Sequence, residues 1–138
     1  MTRSDPNPDR LLLQQLQAAT HDLFWFSEAE YPWHTYYWQD GAIFSESTLL
    51  QQHGYPATTK TAIQEFNSFF AIATKQESWH NEIEQAEVRR YQTLVELLRA
   101  SLNNPRVYLV GDVELDVYVL GETKHQAIAG IVTKVIIT

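Results

Sequence analysis

The stretch that decides the fold is Val113-Glu114-Leu115-Asp116-Val117-Tyr118-Val119-Leu120. Its first six positions alternate apolar and polar residues, and a period of two is typical of a β-strand with one buried face. The odd-numbered residues, from Val113 to Val119, are therefore predicted to lie on the buried face. Gly121 breaks the pattern, and residues 121–126 are predicted to form a turn.

A second strand is predicted from Ala127 to Thr138. Apolar residues occupy both of its faces, with Ile131, Val135 and Ile137 on one face and Ile128, Val132 and Ile136 on the other. A strand that is apolar on both sides is expected inside a sheet that is covered on both sides. The two strands together are predicted to form an antiparallel hairpin.

Two long segments carry apolar residues at spacings of three and four, which predicts amphipathic helices. The first helix is expected to begin near Pro8, with Asn7 as its N-cap, and to end near Ser27. The second is expected to run from Ser78, its N-cap, to Leu102, before a stop signal of two asparagines and a proline.

Shorter elements complete the prediction. They are a strand over 33–38, an ambiguous segment over 42–55, a short strand over 58–63, a short helix over 65–73 and a strand over 106–110. This order predicts an α/β fold, an α/β/α sandwich with a largely antiparallel sheet flanked by the two long helices. Residues 1–7 are expected to form a flexible N-terminus and residues 8–138 a single domain.

The composition of the chain indicates which kinds of partner the protein can bind. The 138 residues contain 10 Lys and Arg against 17 Asp and Glu, which gives a net charge of −7. An acidic surface repels phosphate, so no direct binding of nucleic acid is expected, whereas a basic partner protein would be attracted. Mild acidity is also common in soluble proteins for solubility alone. The sequence contains no run of ~18 apolar residues and no signal-peptide pattern in residues 1–8, so we expect a cytoplasmic protein without membrane contact.

Motifs for catalysis are weak. The sequence has no cysteine, no glycine-rich phosphate loop, no Gly-x-Ser-x-Gly elbow and no His-Glu-x-x-His zinc pattern. Glu114 and Asp116 share one strand face, and His34 lies in an aromatic strand, so a small hydrolase using these residues is one hypothesis. The simpler interpretation is that the carboxylates bind a neighbouring lysine and that the histidine only forms hydrogen bonds. We therefore predict no catalytic residue, no metal and no cofactor.

Two features favour binding of another protein. Glu28 and Glu30 lie two residues apart in a predicted loop, as a solvated acidic turn or as an anion pair for an arginine or lysine of a partner. Trp79 lies near the predicted start of the second long helix. It either caps the core or forms an exposed anchor, since tryptophan is enriched among the residues that dominate protein interfaces.

Several blocks of the sequence, in this order, resemble the nuclease A inhibitor family. The blocks are residues 27–32, 67–70, 104–108, 113–119 with 121–123, and 133–138. The resemblance extends over nearly the whole chain, although the region from Asp40 to Thr61 matches poorly. It implies an acidic α/β/α sandwich that binds a basic, magnesium-dependent, sugar-non-specific endonuclease one to one and blocks its active site, and that is a monomer when alone.

The resemblance also implies which residues contact the nuclease. An acidic residue after the first helix, a tryptophan at the start of the long helix and the C-terminal threonine correspond to Glu28, Trp79 and Thr138. The family has an acidic residue directly before the tryptophan, where this chain has Ser78, so the charge is expected one step earlier, at Glu77.

These residues suggest a mechanism in which the inhibitor brings oxygen ligands and the enzyme supplies the metal. A terminal carboxylate is ionised at neutral pH, and magnesium prefers hard oxygen ligands. The carboxylate and hydroxyl of Thr138 are therefore expected to reach the metal of the nuclease, directly or through a water. Because a fold does not fix a function, the alternative is an acidic binding module with a different, non-nuclease partner.

Overall fold

The computed structural model describes residues 7–25, 31–39 and 44–136. Its centre is an antiparallel sheet with the strand order β1-β5-β4-β3-β2. The strands are β1 His34–Trp38, β2 Thr61–Glu65, β3 Asn103–Gly111, β4 Glu114–Glu122 and β5 Ile128–Ile136. The predicted hairpin is confirmed as β4 and β5, which occupy the interior of the sheet.

Four helices cover this sheet on its two faces. They are α1 Arg10–Thr20, α2 Glu46–Gln52, α3 Phe66–Thr74 and α4 Glu82–Ser101. The first, third and fourth share one apolar core with the sheet, whereas Leu49 of α2 packs in a second core on the opposite face. The predicted α/β/α sandwich is confirmed, and both long helices lie on the same face. Among the helices of the described ranges, none combines the length and apolar character that crossing a membrane requires.

The alternation in β4 separates these two cores. Val117 and Val119 lie in the core under the long helices, while Tyr118 and Leu120 are buried under α2. The prediction for Val113 was wrong, because this residue precedes β4 and is 62% exposed. In β5, Ile131 and Ile128 lie in opposite cores, which confirms that this strand is covered on both faces.

The first helix is shorter than predicted. It ends at Thr20, whose hydroxyl donates to the carbonyl of Leu16 at 2.7 Å, and Asp22 then takes a positive φ of 56° that a continuing helix does not allow. Leu23 is fully buried beyond the helix end. The apolar spacing therefore continued past Thr20 because the following segment also crosses the core.

The beginning of α1 also differs from the prediction. The N-cap position belongs to Asp9, not Asn7, and the Asn7 side chain instead accepts a hydrogen bond from the backbone N–H of Asp9 at 2.8 Å.

The second long helix begins later than predicted. Its N-cap is Asn81, which forms a capping box with Glu84, so Ser78 and Trp79 lie in the connection before the helix. A capping box satisfies two otherwise unpaired backbone N–H groups at once. The stabilisation from these two hydrogen bonds explains why the helix begins after Asn81 and not after Ser78.

The shorter elements lie close to their predicted positions. The ambiguous segment contains α2, which Ser45 caps through a capping box with Thr48. The strand expected over 58–63 is β2, shifted toward the C-terminus, and its last residue, Glu65, caps α3 by accepting from two backbone N–H groups. Part of the predicted 42–55 segment, residues 42 and 43, lies outside the described ranges.

The centre of the sheet requires one glycine. A Cβ atom added to Gly130 of β5 would lie 1.8 Å from the carbonyl oxygen of Val119 in β4. The two strands therefore approach more closely at this point than a side chain permits.

Candidate protein interface

Several elements begin or end at one end of the sheet, here called the apical end. This end contains the beginning of β1 at His34, the beginning of β4 at Glu114 and the end of β5 at Ile136, which pairs with Glu114. Helix α4 passes through Leu102 directly into β3 at the other end, where Asn103 pairs with Glu122. The N-terminus of α4 therefore points toward the apical end.

Trp79 lies just before this helix N-terminus and is 70% exposed. Its ring contacts the ring of His80 edge to face, with a centroid distance of 4.2 Å and an interplanar angle of 68°. Trp79 therefore does not cap the core. Of the two sequence interpretations, the exposed position agrees with the anchor.

Hydrogen bonds fix the segment that carries Trp79. The Nδ1 atom of His80 accepts from the backbone N–H of Glu77 at 3.0 Å, and the backbone N–H of His80 donates to the Glu77 carbonyl at 3.1 Å. The Gln85 side chain donates to the carbonyl of His80 at 3.1 Å, which connects this turn to the helix. Since Nδ1 acts as an acceptor, the ring proton of a neutral His80 belongs on Nε2.

Sequence reasoning missed a second exposed apolar residue at this site. Ile83, in the first turn of α4, is 78% exposed. It comes before the buried residues of the helix, which are Val88, Tyr91, Leu94, Val95 and Leu98. An apolar residue between two glutamates, ahead of the buried series, was the signal available in the sequence.

The surroundings of Trp79 are acidic. Residues 75–87 contain Glu77, Glu82, Glu84 and Glu87, against Lys75 as the only lysine or arginine. The Lys75 ammonium lies 3.9 Å from the Glu77 carboxylate, and because the lysine is well exposed this pair contributes little to stability. The predicted charge at Glu77 therefore lies in the same short turn as Trp79.

Glu28 and Glu30 lie outside the described residues, as does Thr138. The residues on either side of the acidic pair are firmly bound. Phe24 and Pro32 form an isolated antiparallel bridge, and the Pro32 carbonyl accepts from the Thr133 hydroxyl of β5 at 2.9 Å. The two chain positions that flank residues 26–30 are therefore attached to each other and to the C-terminal half of β5.

An aromatic cluster connects these flanks to α4. The Tyr91 hydroxyl donates to the Phe24 carbonyl and accepts from the Trp33 indole N–H at 3.0 Å. Trp25 stacks on Phe69 with a centroid distance of 4.5 Å. Burial raises the pKa of Tyr91 above its ordinary value. The phenol therefore stays protonated and keeps its donor.

The residues of the hydrolase hypothesis have structural partners. Lys134 lies 3.2 Å from the Glu114 carboxylate and 3.6 Å from that of Asp116, and its hydrogen bond to Glu114 and the charge of Asp116 raise the lysine pKa. Asp116 also accepts from the Tyr55 hydroxyl. His34 is exposed and, with Asp116, borders a largely apolar hollow of about 250 Å³. The two carboxylates thus bind a neighbouring lysine, as the simpler interpretation expected.

Within residues 7–25, 31–39 and 44–136, no three His, Asp or Glu side chains lie where they could together hold a metal ion.

The fold and the site thus define an acidic α/β/α domain with an exposed aromatic residue on a hydrogen-bonded turn, an arrangement typical of a protein-binding surface. Comparison with protein families agrees with this class. The family model of the nuclease A inhibitor-like protein matches residues 10–138, and the chain belongs to that family. No curated protein matches the sequence. Membership in an inhibitor-like family favours a non-enzymatic role.

Proposed function

We propose that this protein inhibits a magnesium-dependent, sugar-non-specific endonuclease by binding it one to one and covering its active site. The observation that carries the proposal is the exposure of Trp79 on an acidic turn, in a chain that belongs to the nuclease A inhibitor-like family. A tryptophan that is 70% exposed leaves a large apolar area in contact with water. Covering that area with a partner stabilises a complex.

Charge supplies the second part of the proposed mechanism. A nuclease cleft that binds phosphate is basic, and the net charge of −7 would accelerate the encounter with it. Glu28, Glu30 and Glu77 are proposed to pair with arginine or lysine side chains that otherwise hold the nucleic-acid backbone. Such charge-assisted hydrogen bonds are stronger than neutral ones.

Thr138 supplies the third part. Its carboxylate and hydroxyl are proposed to approach the magnesium ion of the nuclease, directly or through a water, in the position of a substrate phosphate. The metal belongs to the partner. The free inhibitor is proposed to be cytoplasmic, which cell fractionation tests. It is also proposed to be a monomer, which analytical ultracentrifugation tests.

The test is a titration of DNA cleavage by such an endonuclease, in magnesium, with increasing inhibitor. Cleavage is expected to fall to zero near one equivalent, and Trp79→Ala should require far more protein. The matched control is Leu11→Ala, because Leu11 is similarly exposed, at 67%, but lies on α1. Full cleavage at a stoichiometric excess of the unaltered protein would exclude the inhibitor function and favour the non-nuclease partner.

A second variant isolates the C-terminus by adding a few residues after Thr138. The extended chain is expected to inhibit more weakly, because its carboxylate no longer belongs to Thr138. Equal inhibition by the extended and unaltered proteins would refute the role of the terminal carboxylate and leave the other contacts unaffected.

A further inference from the structure

We propose that Trp79 and Ile83 act together as a two-residue apolar anchor that enters an apolar recess bordered by lysine or arginine side chains on the partner. This inference rests on the proposed function, because that partner is the basic nuclease. The two side chains are 70% and 78% exposed. They are among six large hydrophobic side chains that are exposed in the described part of the chain.

Distance permits one recess to receive both residues. Ile83 follows Trp79 by four positions, so their Cα atoms lie at most ~14 Å apart even if the chain between them were fully extended. A standard interface buries ~800 Å² on each partner, which is a patch of roughly 30 Å across. Both side chains therefore fall within one interface.

The charges around the anchor specify the kind of recess. The four glutamates and single lysine of residues 75–87 give this segment a net charge of −3, from a chain total of −7. An acidic border around an apolar centre complements a basic border around an apolar recess, which suppresses wrong partners and accelerates encounter. An uncharged or acidic recess would offer these carboxylates no opposite charge on the partner.

The anchor is also ordered before it binds. Hydrogen bonds of His80 to Glu77 and Gln85 hold the turn, and the capping box of Asn81 with Glu84 holds the first turn of α4. His80 acts here as a positioning residue, because its ring contacts Trp79. Groups that are already ordered lose less conformational freedom on binding, so more of the contact energy appears as affinity.

The packing of the fold does not require an apolar side chain at position 83. Its side chain is mostly in water, and a β-branched residue is a weaker helix former than alanine. Ile83→Ala is therefore expected to leave thermal stability unchanged or slightly higher, which makes it a clean probe of binding.

The experiment measures the dissociation constant for the purified endonuclease with the unaltered protein and with Ile83→Ala, Trp79→Ala and the double variant. We expect a loss of about 10-fold for Ile83→Ala and about 30-fold or more for Trp79→Ala. The double variant should lose less than the product of the two, because neighbouring residues in one recess couple. Leu11→Ala is the matched control and should bind within about twofold of the unaltered protein.

A charge variant tests the border. Glu82→Lys should slow association at low salt, and the difference from the unaltered protein should shrink as salt is raised. If the unaltered protein inhibits but Ile83→Ala binds as tightly as Leu11→Ala, the two-residue anchor is wrong while the proposed function stands. An association rate unaffected by Glu82→Lys at low salt would refute the basic border. If the unaltered protein does not inhibit at all, the proposed function itself is wrong.

Discussion

Replacing Tyr91 by phenylalanine tests whether the aromatic cluster holds the residues on either side of positions 26–30. Tyr91 is 1% exposed, and its hydroxyl connects the Trp33 indole on one side to the Phe24 carbonyl on the other. Phenylalanine keeps the ring and its packing but removes the oxygen. The change therefore isolates these two hydrogen bonds from the apolar contribution of the residue.

The expected cost follows from what is left behind. Leaving a buried donor or acceptor without a partner costs ~1–3 kcal/mol, and this variant leaves one indole N–H and one carbonyl. Because the hydrogen bond to the Phe24 carbonyl is only partly buried, the sum should lie in the lower part of that range, and we expect the free energy of unfolding to fall by ~2–4 kcal/mol. Unfolding entropy scales at ~2.1 cal/mol/K per residue, so for 138 residues the melting temperature should fall by roughly 7–14 °C.

The assay is urea unfolding followed by circular dichroism, combined with inhibition measured well below the melting temperature. Because Phe24 and Pro32 bridge across residues 26–30, loosening Phe24 should also weaken inhibition through Glu28 and Glu30.

The matched control is Tyr108→Phe. Tyr108 is half-buried, and its hydroxyl has no hydrogen-bond partner within the described residues. This control should change the free energy of unfolding by less than ~0.5 kcal/mol. If Tyr91→Phe is no more destabilising than Tyr108→Phe, the hydrogen bonds of Tyr91 do not stabilise the fold.

Two further predictions concern stability. Gly130→Ala should lower the free energy of unfolding by more than ~3 kcal/mol or prevent folding, because its Cβ would overlap the Val119 carbonyl. The control is Gly54→Ala, which should cost only ~1 kcal/mol, because Gly54 has a φ of 73° but nothing within 4 Å of the added Cβ. Similar melting temperatures for the two variants would contradict the close approach of β4 and β5. Burial raises the pKa of Tyr36 to about 12, so its contribution to stability is complete below about pH 10 and is lost as the pH rises toward 12. Urea unfolding should therefore give a lower free energy of unfolding at about pH 11 than at about pH 9. This difference should be smaller in Tyr36→Phe. An equal difference in both proteins would show that Tyr36 is not its source.

Much of the fold follows from local sequence patterns. The alternation in β4 predicted a strand with one buried face, and the two apolar faces of β5 predicted a strand covered on both sides, because side chains of a strand must point to opposite faces. The helix boundaries followed less well. Ser78 and Asn81 are both good N-caps, and only the glutamate three residues after Asn81 decides between them.

The strand order was not predicted from the sequence. Which strand becomes the neighbour of β5 depends on contacts between distant parts of the chain, and no local pattern encodes that choice. The same limit applied to Trp79 and Ile83. Residue type indicated an anchor or a core residue at Trp79, but only the packed fold decides how much of a side chain stays in water. Glu28, Glu30 and Thr138 remain predictions.

The pairing of β1 with β5 has a consequence during synthesis. His34 and Val132 lie opposite each other in the two strands although about 100 positions separate them in the sequence. A ribosome therefore releases β1 long before its partner strand has been made, and β1, an edge strand that pairs with β5, has no strand partner until then. A chain whose translation stops before β5 exposes this unpaired strand to chaperones and proteases. Such incomplete products cannot assemble the apical end of the sheet, because β5 forms part of it.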